Sequence, residues 1–470
     1  MAHLLIAATQ KSSGKTMFST GLAAVLARRG MAVQPFKKGP DYIDPMWLGR
    51  AAGRACFNLD FHCMEEAEII AAFCHRDRTA DISLIEANKG LFDGVDLEGR
   101  DSNAALAALL GAPVILVLDT MGMTRGIAPL VLGYLGFDAG VHIAGVVLNK
   151  VGGPRHESKL RAALERYTDV LVLGAIGRDR QLAVPERHLG LIPANEADGA
   201  DEIIGRMADI VGRDVDIERL VAIASTASGP SAAPAFARAP NTGISSVRLG
   251  IARDAAFGFY YPDDLDALER AGATLVPFDT LRDASLPAVD GLFIGGGFPE
   301  TQMASLEANR TMRESIRAAI ANGMPVYAEC GGMMYLSQRL TWNGNTHEMC
   351  GALPGRAVMH NRPQGRGYVI LEETGAGPWP LESSRTGVPA RFPAHEFHYA
   401  SLEDLPKRPT FAYRVIRGHG IDGTHDGVVQ DGLLASFSHL RDVAGNRWAA
   451  RFIRFVQSRK GTRGSRAATT

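Results

Sequence analysis

Residues 4–16 read LLIAATQKSSGKT, placing a short apolar run, a loop rich in serine and glycine, and the start of a helical segment in that order. Leu4–Ala8 has the length of a buried strand, and Lys15–Arg29, closed by Gly30, has the pattern of a helix. The loop between them matches the phosphate-binding pattern G-x-x-x-x-G-K-S/T, except that Thr9 replaces the first glycine. This order predicts an α/β domain that binds a nucleotide at its first loop.

Each polar position of the loop then has an expected role. Backbone N–H groups and the positive end of the helix dipole would hold the phosphates. Lys15 would neutralise the β- and γ-phosphates of ATP, and the Thr16 hydroxyl would complete a Mg²⁺ shell. A serine- and glycine-rich turn that only caps a helix is the alternative interpretation. The residues predicted to bind the nucleotide are Ser12, Ser13, Gly14, Lys15 and Thr16.

Outward from this loop, short apolar strands keep alternating with helical segments. In the first half we predict further strands at Ala32–Phe36, Asp81–Glu86, Val114–Asp119 and Ile143–Asn149. In the second half we predict strands at Val247–Ala252, Thr274–Phe278, Gly291–Ile294 and Pro325–Ala328. This alternation is typical of mostly parallel sheets covered by helices on both faces. Ligands of such sheets bind at the carboxyl ends of the strands.

The chain length of 470 residues allows two or three domains. Residues 225–246 are rich in alanine, serine and proline and predict a linker. We therefore expect a first domain over residues 1–224 and a second over 247–457. Residues 458–470, with four basic side chains among glycine, serine and threonine, predict a frayed tail.

Composition narrows the class of protein. Lysine and arginine number 50 against 51 aspartates and glutamates, which argues against a nucleic-acid partner. The five cysteines form no C-x-x-C pair, which argues against disulfides and structural zinc and favours a reducing cytoplasm. The longest stretch without polar side chains, Ala104–Leu118, is broken by Gly111 and Pro113 and is interpreted as a helix followed by a strand. We expect no membrane association.

Carboxylates follow two of the predicted strands. Glu86 ends one strand, and Asp41 and Asp44 lie in the segment KKGPDYIDP after another. Mg²⁺ prefers such hard oxygen ligands, although turn and helix-capping roles are commoner for aspartate beside glycine and proline. The predicted metal ligands are Thr16, Asp44 and Glu86.

A different chemistry is indicated by residues 326–332, which read VYAECGG. Cys330 ends an apolar strand and precedes glycines and a short helical segment, so a sharp turn would expose the sulfur and the helix N-terminus would favour the thiolate. A buried structural cysteine is the alternative. The glycine run after the strand Gly291–Ile294 offers backbone donors for an oxyanion, and His439 offers an imidazole.

These motifs together resemble the cobyrinic acid a,c-diamide synthase family. In the first half the resemblance rests on SSGKT, QPFKKGPDYIDP, GLFDG, LDTMGMTRGIAPLVLGY, LNKVGGPRH and PERHLGLIPANE, and in the second on AFGFYYPDDLDALERAGA and HEFHY. The family joins a P-loop NTPase-like (dethiobiotin-synthetase-like) parallel-sheet domain to a class I glutamine amidotransferase domain of flavodoxin-like fold. The resemblance implies amidation of the a- and c-acetates of cobyrinate or hydrogenobyrinate in cobalamin biosynthesis, with ATP, Mg²⁺ and L-glutamine, and is compatible with a homodimer.

Roles of individual residues follow from the same resemblance. Cys330 would attack glutamine, His439 would protonate the departing ammonia and activate water, and the oxyanion would be held by the amides of Gly296, Gly297 and Gly331. Glu86 would assist Mg²⁺, and Asn149 would lie near the adenine. The residues implied to face the substrate carboxylates and the acyl phosphate are Asp41, Tyr42, Asp44 and Asp93.

The chain departs from the family pattern at two places. Lys37-Lys38 and Lys89 add a lysine to each of two substrate-side loops, so Lys37 and Lys89 are predicted to bind substrate carboxylates. This keeps open a different tetrapyrrole, sirohaem or a nickel sirohydrochlorin. Many amidotransferases have a glutamate two residues after the histidine, where this chain has Arg441. The cobyrinate branch also lacks that glutamate, so Arg441 agrees with the resemblance and leaves the group that orients His439 unassigned.

Two further interpretations remain. His395 and His398 have H-x-x-H spacing, but a strand would separate their rings, so we expect them to line the glutaminase site or a domain interface. A P-loop switch that binds nucleotide without catalysis is the alternative from another class of protein, and it leaves Cys330 and His439 unexplained.

Overall fold

The computed structural model describes residues 2–178, 186–187, 190–197, 199–230, 246–379 and 389–467. The chain divides into two compact units, Met1–Ala237 and Arg238–Thr470. Residues 231–245 of the predicted linker lie outside the described residues. Before them, Ser228 N–H donates to the carbonyl of Gly111, so the start of the predicted linker packs on the first unit.

The first unit contains a parallel sheet and its covering helices. Its strands are β1 (Ala2–Ala8), β2 (Val33–Lys38), β3 (Phe57–Leu59), β4 (Ile82–Glu86), β5 (Val114–Asp119), β6 (Ile143–Val151) and β7 (Val172–Gly177), with a separate pair β8 (Glu186–Arg187) and β9 (Gly190–Leu191). Its helices are α1 (Lys15–Arg28), α2 (Ile43–Ala52), α3 (Glu66–Asp77), α4 (Asn103–Leu110), α5 (Ile127–Phe137), α6 (Pro154–Tyr167), α7 (Ala200–Asp214) and α8 (Ile217–Ala224).

The seven main strands lie in the order β3-β2-β4-β1-β5-β6-β7, and each pairs with its neighbours in parallel. The predicted parallel α/β fold is confirmed, with strand ends within about two residues of the expected ones. The sequence did not predict β3 and β7. Because β1 is central, the loop after it lies beside the carboxyl ends of β4 and β5.

The second unit begins as a similar α/β pattern and ends as an antiparallel one. Its strands are β10 (Val247–Ala252), β11 (Phe257–Phe259), β12 (Ala273–Phe278), β13 (Gly291–Ile294), β14 (Gly296–Gly297), β15 (Val326–Glu329), β16 (Arg339–Trp342), β17 (Asn345–Glu348), β18 (Arg356–Met359), β19 (Gly365–Glu373), β20 (Arg391–His398), β21 (Ala400–Glu403), β22 (Thr410–Arg417), β23 (His425–Gln430) and β24 (Leu433–Ser436). Its helices are α9 (Pro262–Arg270), a 3-10 turn at Pro299–Gln302, α10 (Met303–Ala308), α11 (Arg310–Ala321), α12 (Gly331–Leu336) and α13 (Trp448–Ala467).

The main sheet of this unit has the order β12-β10-β13-β15-β24-β23-β22-β19-β20. Its first five strands are parallel and the remaining strands antiparallel. The four predicted strands are β12, β10, β13 and β15, and the fifth parallel strand, β24, was not predicted. The central strand β15 separates two apolar cores, one containing Val326 and Ala328 and the other Tyr327.

Helix α13 continues to Ala467 and so covers most of the segment from Ser458 for which a frayed tail is predicted. The buried side chains of Trp448, Phe452 and Val456 anchor the start of this helix, and arginine and lysine favour its continuation. Residues 468–470 lie outside the described residues.

Candidate functional sites

The predicted phosphate-binding loop joins β1 to α1 in the expected order. Ser12 and Gly14 have left-handed backbones, with φ of 58° and 90°. Ser13 Oγ donates to the carbonyl of Gln10 at 2.9 Å, which closes the turn. The loop therefore leads directly into the N-terminus of α1, where backbone N–H groups favour an anion.

Two consecutive residues at the end of β6 donate side-chain hydrogen bonds to the backbone of this loop. Asn149 Nδ2 donates to the carbonyl of Ser13 at 2.8 Å, and Lys150 Nζ donates to the carbonyl of Ser12 at 2.7 Å. A methyl group added at Gly14 would lie 2.0 Å from Asn149 Nδ2, so only glycine fits there. The structure thus gives Asn149 a loop-positioning contact, and its expected proximity to adenine stays a prediction.

Lys15 is buried, and its ammonium group donates a hydrogen bond to a backbone carbonyl. Its Nζ donates to the carbonyl of Lys89 at 2.7 Å. Burial, reinforced by the nearby positive charge of Lys37, lowers the pKa of Lys15 to about 8. A bound phosphate would favour the charged form.

A buried ionic cluster of the first unit is built around Lys37, whose side chain is 2% exposed. Its Nζ lies 2.6 Å from both Asp44 Oδ2 and Glu86 Oε1, and 3.7 Å from Asp41 Oδ2. Burial opposes the charge on Lys37, but these carboxylates outweigh it and raise its pKa well above the ordinary value. Lys37 is therefore engaged by the protein's own carboxylates, whereas the sequence predicted a lysine directed at substrate.

The same cluster contains the predicted metal ligands. Thr16 Oγ1 donates to Glu86 Oε1 at 3.1 Å, and Lys37 bridges Glu86 to Asp44. Among the residues that the structure describes, Glu86 Oε2 is buried without a hydrogen-bond partner. Over the same described ranges, no group of three or more histidine, cysteine, aspartate or glutamate side chains is arranged to hold a metal ion. The hydroxyl and the unpaired carboxylate oxygen nevertheless fit Mg²⁺, which takes its other ligands from water and phosphate.

The remaining predicted substrate residues differ in exposure. Asp41 Oδ1 accepts hydrogen bonds from the backbone N–H groups of Ile43 and Asp44, so the capping interpretation holds for Asp41. Burial and the neighbouring Asp44 raise the pKa of Asp41 to about 7. Asp93 is exposed and accepts from Gly90 N–H, while Tyr42 is buried at the start of α2.

The two added lysines also differ. Lys38 is buried at the end of β2, and burial lowers its pKa. Lys89 is exposed and has a left-handed backbone, with φ of 53°. Its exposed side chain is compatible with a substrate carboxylate, and its carbonyl already contacts Lys15.

In the second unit, Cys330 occupies a sharp turn between β15 and α12. Its φ of 46° is left-handed, and its backbone N–H donates to the carbonyl of Ser436 on the neighbouring strand at 2.7 Å. This is the predicted strand, turn and helix geometry. The side chain is only 8% exposed, and burial together with the nearby Glu300 raises the pKa of the Cys330 thiol to about 12. Burial therefore opposes the thiolate in the free protein and acts against the effect expected of the helix N-terminus.

The three predicted oxyanion glycines lie close to Cys330 and to the histidine. A methyl group added at Gly331 would lie 2.9 Å from the carbonyl oxygen of Gly297. A methyl group added at Gly296 would lie 2.8 Å from His439 Cε1. Gly296 and Gly297 also pair with Phe259 and Phe257 as the short strand β14. Their role as oxyanion donors stays a prediction.

His439 is buried against a carboxylate and a second imidazole. Its Nδ1 lies 3.2 Å from Glu329 Oε2. Its ring stacks on that of His395, with centroids 4.8 Å apart and an interplanar angle of 14°. The prediction that His395 lines this site agrees with the stacking, whereas His398 stacks on Phe437 instead.

Sequence reasoning missed two carboxylates that shape this site. Glu329 was passed over although it is the charged residue at the end of the apolar strand VYAE. Asp426 is buried and accepts hydrogen bonds from the N–H groups of Phe437 and Ser438, which fixes the turn leading to His439. A lone charge in a buried strand is a signal that could have identified Glu329, because such charges need a specific partner.

No helix among the described residues is long and apolar enough to cross a membrane. Residues 4–192 match the family model of the CobQ/CobB/MinD/ParA nucleotide binding domain, and residues 248–444 match that of the CobB/CobQ-like glutamine amidotransferase domain.

Similar proteins extend over nearly the whole chain. A cobyrinate a,c-diamide synthase of Magnetococcus marinus is 49% identical over 97% of this chain and 97% of its own length. The protein of the same name from Methanosarcina acetivorans is 39% identical over 99% of this chain and 97% of its own length. That from Archaeoglobus fulgidus is 38% identical over 97% of this chain and 98% of its own length.

Proposed function

The chain belongs to the cobyrinate a,c-diamide synthase family, and from this premise we propose that it amidates the a- and c-acetates of cobyrinate or hydrogenobyrinate. It is an amide-forming ligase that uses ATP and takes its nitrogen from L-glutamine. The observation that carries the proposal is the full-length identity of 49%, combined with both motif sets in one chain.

In the second unit, the reaction begins with proton transfer from the Cys330 thiol to His439. The sulfur forms a bond to the glutamine carbonyl carbon, and the oxyanion is held by the backbone amides of Gly296, Gly297 and Gly331. His439 then protonates the departing nitrogen, the C–N bond breaks and ammonia leaves. Water activated by His439 hydrolyses the thioester and releases glutamate. Because burial disfavours the free thiolate, proton transfer is expected to accompany glutamine binding.

In the first unit, a carboxylate oxygen of the tetrapyrrole attacks the γ-phosphate of ATP and forms an acyl phosphate with release of ADP. Lys15 and the amides of the loop from Ser12 to Thr16 stabilise the charge on the transferred phosphoryl group. Ammonia then attacks the carbonyl carbon, and inorganic phosphate leaves. Asp41, Tyr42, Asp44, Asp93 and the exposed Lys89 would orient the substrate.

Thr16 and Glu86 would hold Mg²⁺, with Asp44 as the third residue of the predicted set. Support comes from the unpaired buried oxygen of Glu86 and its contact with the Thr16 hydroxyl. When bound, Mg²⁺ would neutralise the β- and γ-phosphate oxygens. Lys37 already balances part of the negative charge of Asp44 and Glu86. The cytoplasm is the proposed location, and a homodimer the proposed assembly.

The test is mass spectrometry of a tetrapyrrole panel incubated with ATP, Mg²⁺ and glutamine. Each amidation lowers the substrate mass by about 1 Da, and ATP hydrolysis should accompany it. Cobyrinate or hydrogenobyrinate should lose about 2 Da, one for each amide. Conversion of sirohaem or nickel sirohydrochlorin instead would replace the proposed substrate.

A matched variant separates the two half-reactions. Cys330→Ala should abolish glutamine-dependent amidation but retain amidation from ammonium chloride, because the two chemistries use different units. Glutamine hydrolysis unchanged in Cys330→Ala would contradict the amidotransferase assignment and favour a nucleotide switch.

A further inference from the structure

We infer that Glu329 is the positioning residue that orients His439 for glutamine hydrolysis. This inference rests on the proposed glutaminase activity of Cys330 and His439. Many amidotransferases place the orienting glutamate two residues after the histidine. Glu329 lies elsewhere in the sequence, directly before the nucleophile Cys330.

The strand geometry explains why this glutamate points at the histidine. Tyr327 and Glu329 are two residues apart on β15, so their side chains leave the same face of the central sheet. β15 is parallel to β24, with Glu329 opposite Ser436, and the chain reaches His439 three residues later. The fold thus brings the histidine back over the end of the strand that carries both Glu329 and Cys330.

The carboxylate of Glu329 is itself fixed by two donors. Tyr327 hydroxyl donates to Glu329 Oε1 at 2.5 Å, and Leu440 N–H donates to the same oxygen at 3.0 Å. The other oxygen, Oε2, faces His439 Nδ1 at 3.2 Å. One oxygen therefore anchors the group and the other meets the ring.

The ring of His439 has little freedom to choose another partner. His395 stacks on one face, and the two residues also exchange backbone hydrogen bonds. Gly296 approaches the Cε1 edge so closely that an added methyl would lie at 2.8 Å. With Nδ1 held as a donor to Glu329, Nε2 is the nitrogen that remains unprotonated and can take a proton from the thiol.

The position two residues after His439, where many amidotransferases have the orienting glutamate, is occupied here by Arg441. Its guanidinium donates to Asp263 Oδ2 at 2.5 Å and lies 4.0 Å above the ring of Tyr261. That side chain is committed to an ion pair and a cation–π contact. A carboxylate contact to His439 comes instead from β15.

Chemically, Glu329 would do two things. It selects the tautomer of His439 that is competent as a base, and it stabilises the imidazolium that forms when the thiol is deprotonated. Replacement by glutamine keeps the size but offers an amide that can donate as well as accept, so the wrong tautomer becomes accessible.

The experiment compares Glu329→Gln, Glu329→Asp and Glu396→Gln in the full-length chain. Glu396 is the matched control because it is a glutamate of the same unit with the same 2% exposure, bonded to the N–H groups of His419 and Gly420. The measurements are kcat and KM for glutamine hydrolysis, together with ammonia-dependent amidation.

For Glu329→Gln we expect kcat to fall by about 10²- to 10⁴-fold with KM changed less than about threefold. Glu329→Asp, which keeps the acceptor-only carboxylate, should retain more activity than Glu329→Gln, and Glu396→Gln should stay near wild type. Ammonia-dependent amidation should be unchanged in all three variants.

Three results would overturn the positioning role: a kcat within about threefold of wild type in Glu329→Gln, an equal loss in Glu396→Gln, or a parallel loss of ammonia-dependent amidation. A wild-type chain without glutaminase activity would instead refute the proposed function itself, so the two failures are distinguishable.

Discussion

Lys37 Nζ lies 2.6 Å from Glu86 Oε1 in the interior of the first unit, so one ammonium balances the carboxylate that is expected to assist the metal. Asp44 shares the same ammonium, also at 2.6 Å. Removing a single partner of such a group leaves buried charge without compensation. This relationship links the stability of the unit to its proposed Mg²⁺ binding.

The first prediction concerns this ion pair. Lys37→Met should lower the free energy of unfolding by about 3 kcal/mol, since Asp44 and Glu86 lose their counterion. Added Mg²⁺ should restore more stability to the variant than to wild type, because the cation supplies the missing charge. Chemical denaturation with and without MgCl₂ measures both effects.

Lys460→Met is the control for the lysine substitution. Lys460 pairs with Asp290 at 2.9 Å, but its side chain is exposed, so its loss should change stability by less than about 0.5 kcal/mol. Equal effects of the two substitutions would contradict the special role of the Lys37 cluster.

The second prediction follows from the lowered pKa of Lys15, about 8 in the free protein. Only the charged form pairs with phosphate, so ATP affinity should weaken as pH rises through this value. Between pH 7 and pH 9 the apparent Kd should increase about tenfold, measured by calorimetry. Lys15→Arg, which stays charged, should show a flat profile; a flat profile in wild type would refute the lowered pKa.

The third prediction concerns the thiol. Because burial raises the pKa of Cys330 to about 12, its protonated form predominates throughout the neutral range. Alkylation of Cys330 by iodoacetamide should therefore accelerate about tenfold per pH unit from pH 8 to pH 10. Peptide mass spectrometry identifies the labelled site. A plateau near pH 9, as for an ordinary free thiol, would show that the thiolate is favoured after all.

The fourth prediction concerns the support behind the phosphate loop. Asn149→Ala removes the bond to the carbonyl of Ser13 and should weaken ATP binding about fivefold, corresponding to the loss of one buried hydrogen bond. Lys150→Met removes a more exposed bond to Ser12 and should weaken binding less than about twofold. A reversed order of effects, measured by equilibrium binding, would place the main support at Lys150.

Much of the fold followed from local pattern. The alternation of apolar strands and helices identified the parallel sheet of the first unit and four of the five parallel strands of the second, because burial on both faces forces continuous apolar runs. The antiparallel strands after β15 did not stand out, since short half-buried strands with mixed polarity resemble loops. The continuation of α13 beyond Ser458 did not stand out either, because glycine and serine in this segment are weak helix formers.

The candidate sites likewise contain residues that linear motifs identified and contacts that only the folded chain creates. Linear motifs named Lys15, Thr16 and Cys330 because loop chemistry requires those residue types at fixed spacing, and family resemblance named His439. The sequence could not determine which side chains contact each other. Lys37 contacts Glu86, Asn149 contacts the phosphate-binding loop, and Glu329 contacts His439. Those partners are 49, 136 and 110 residues apart, and only the parallel pairing of strands brings them to hydrogen-bond distance. The sequence determined which chemical groups this protein has, and the tertiary structure decided their partners and protonation, because burial and distance act only in the folded chain.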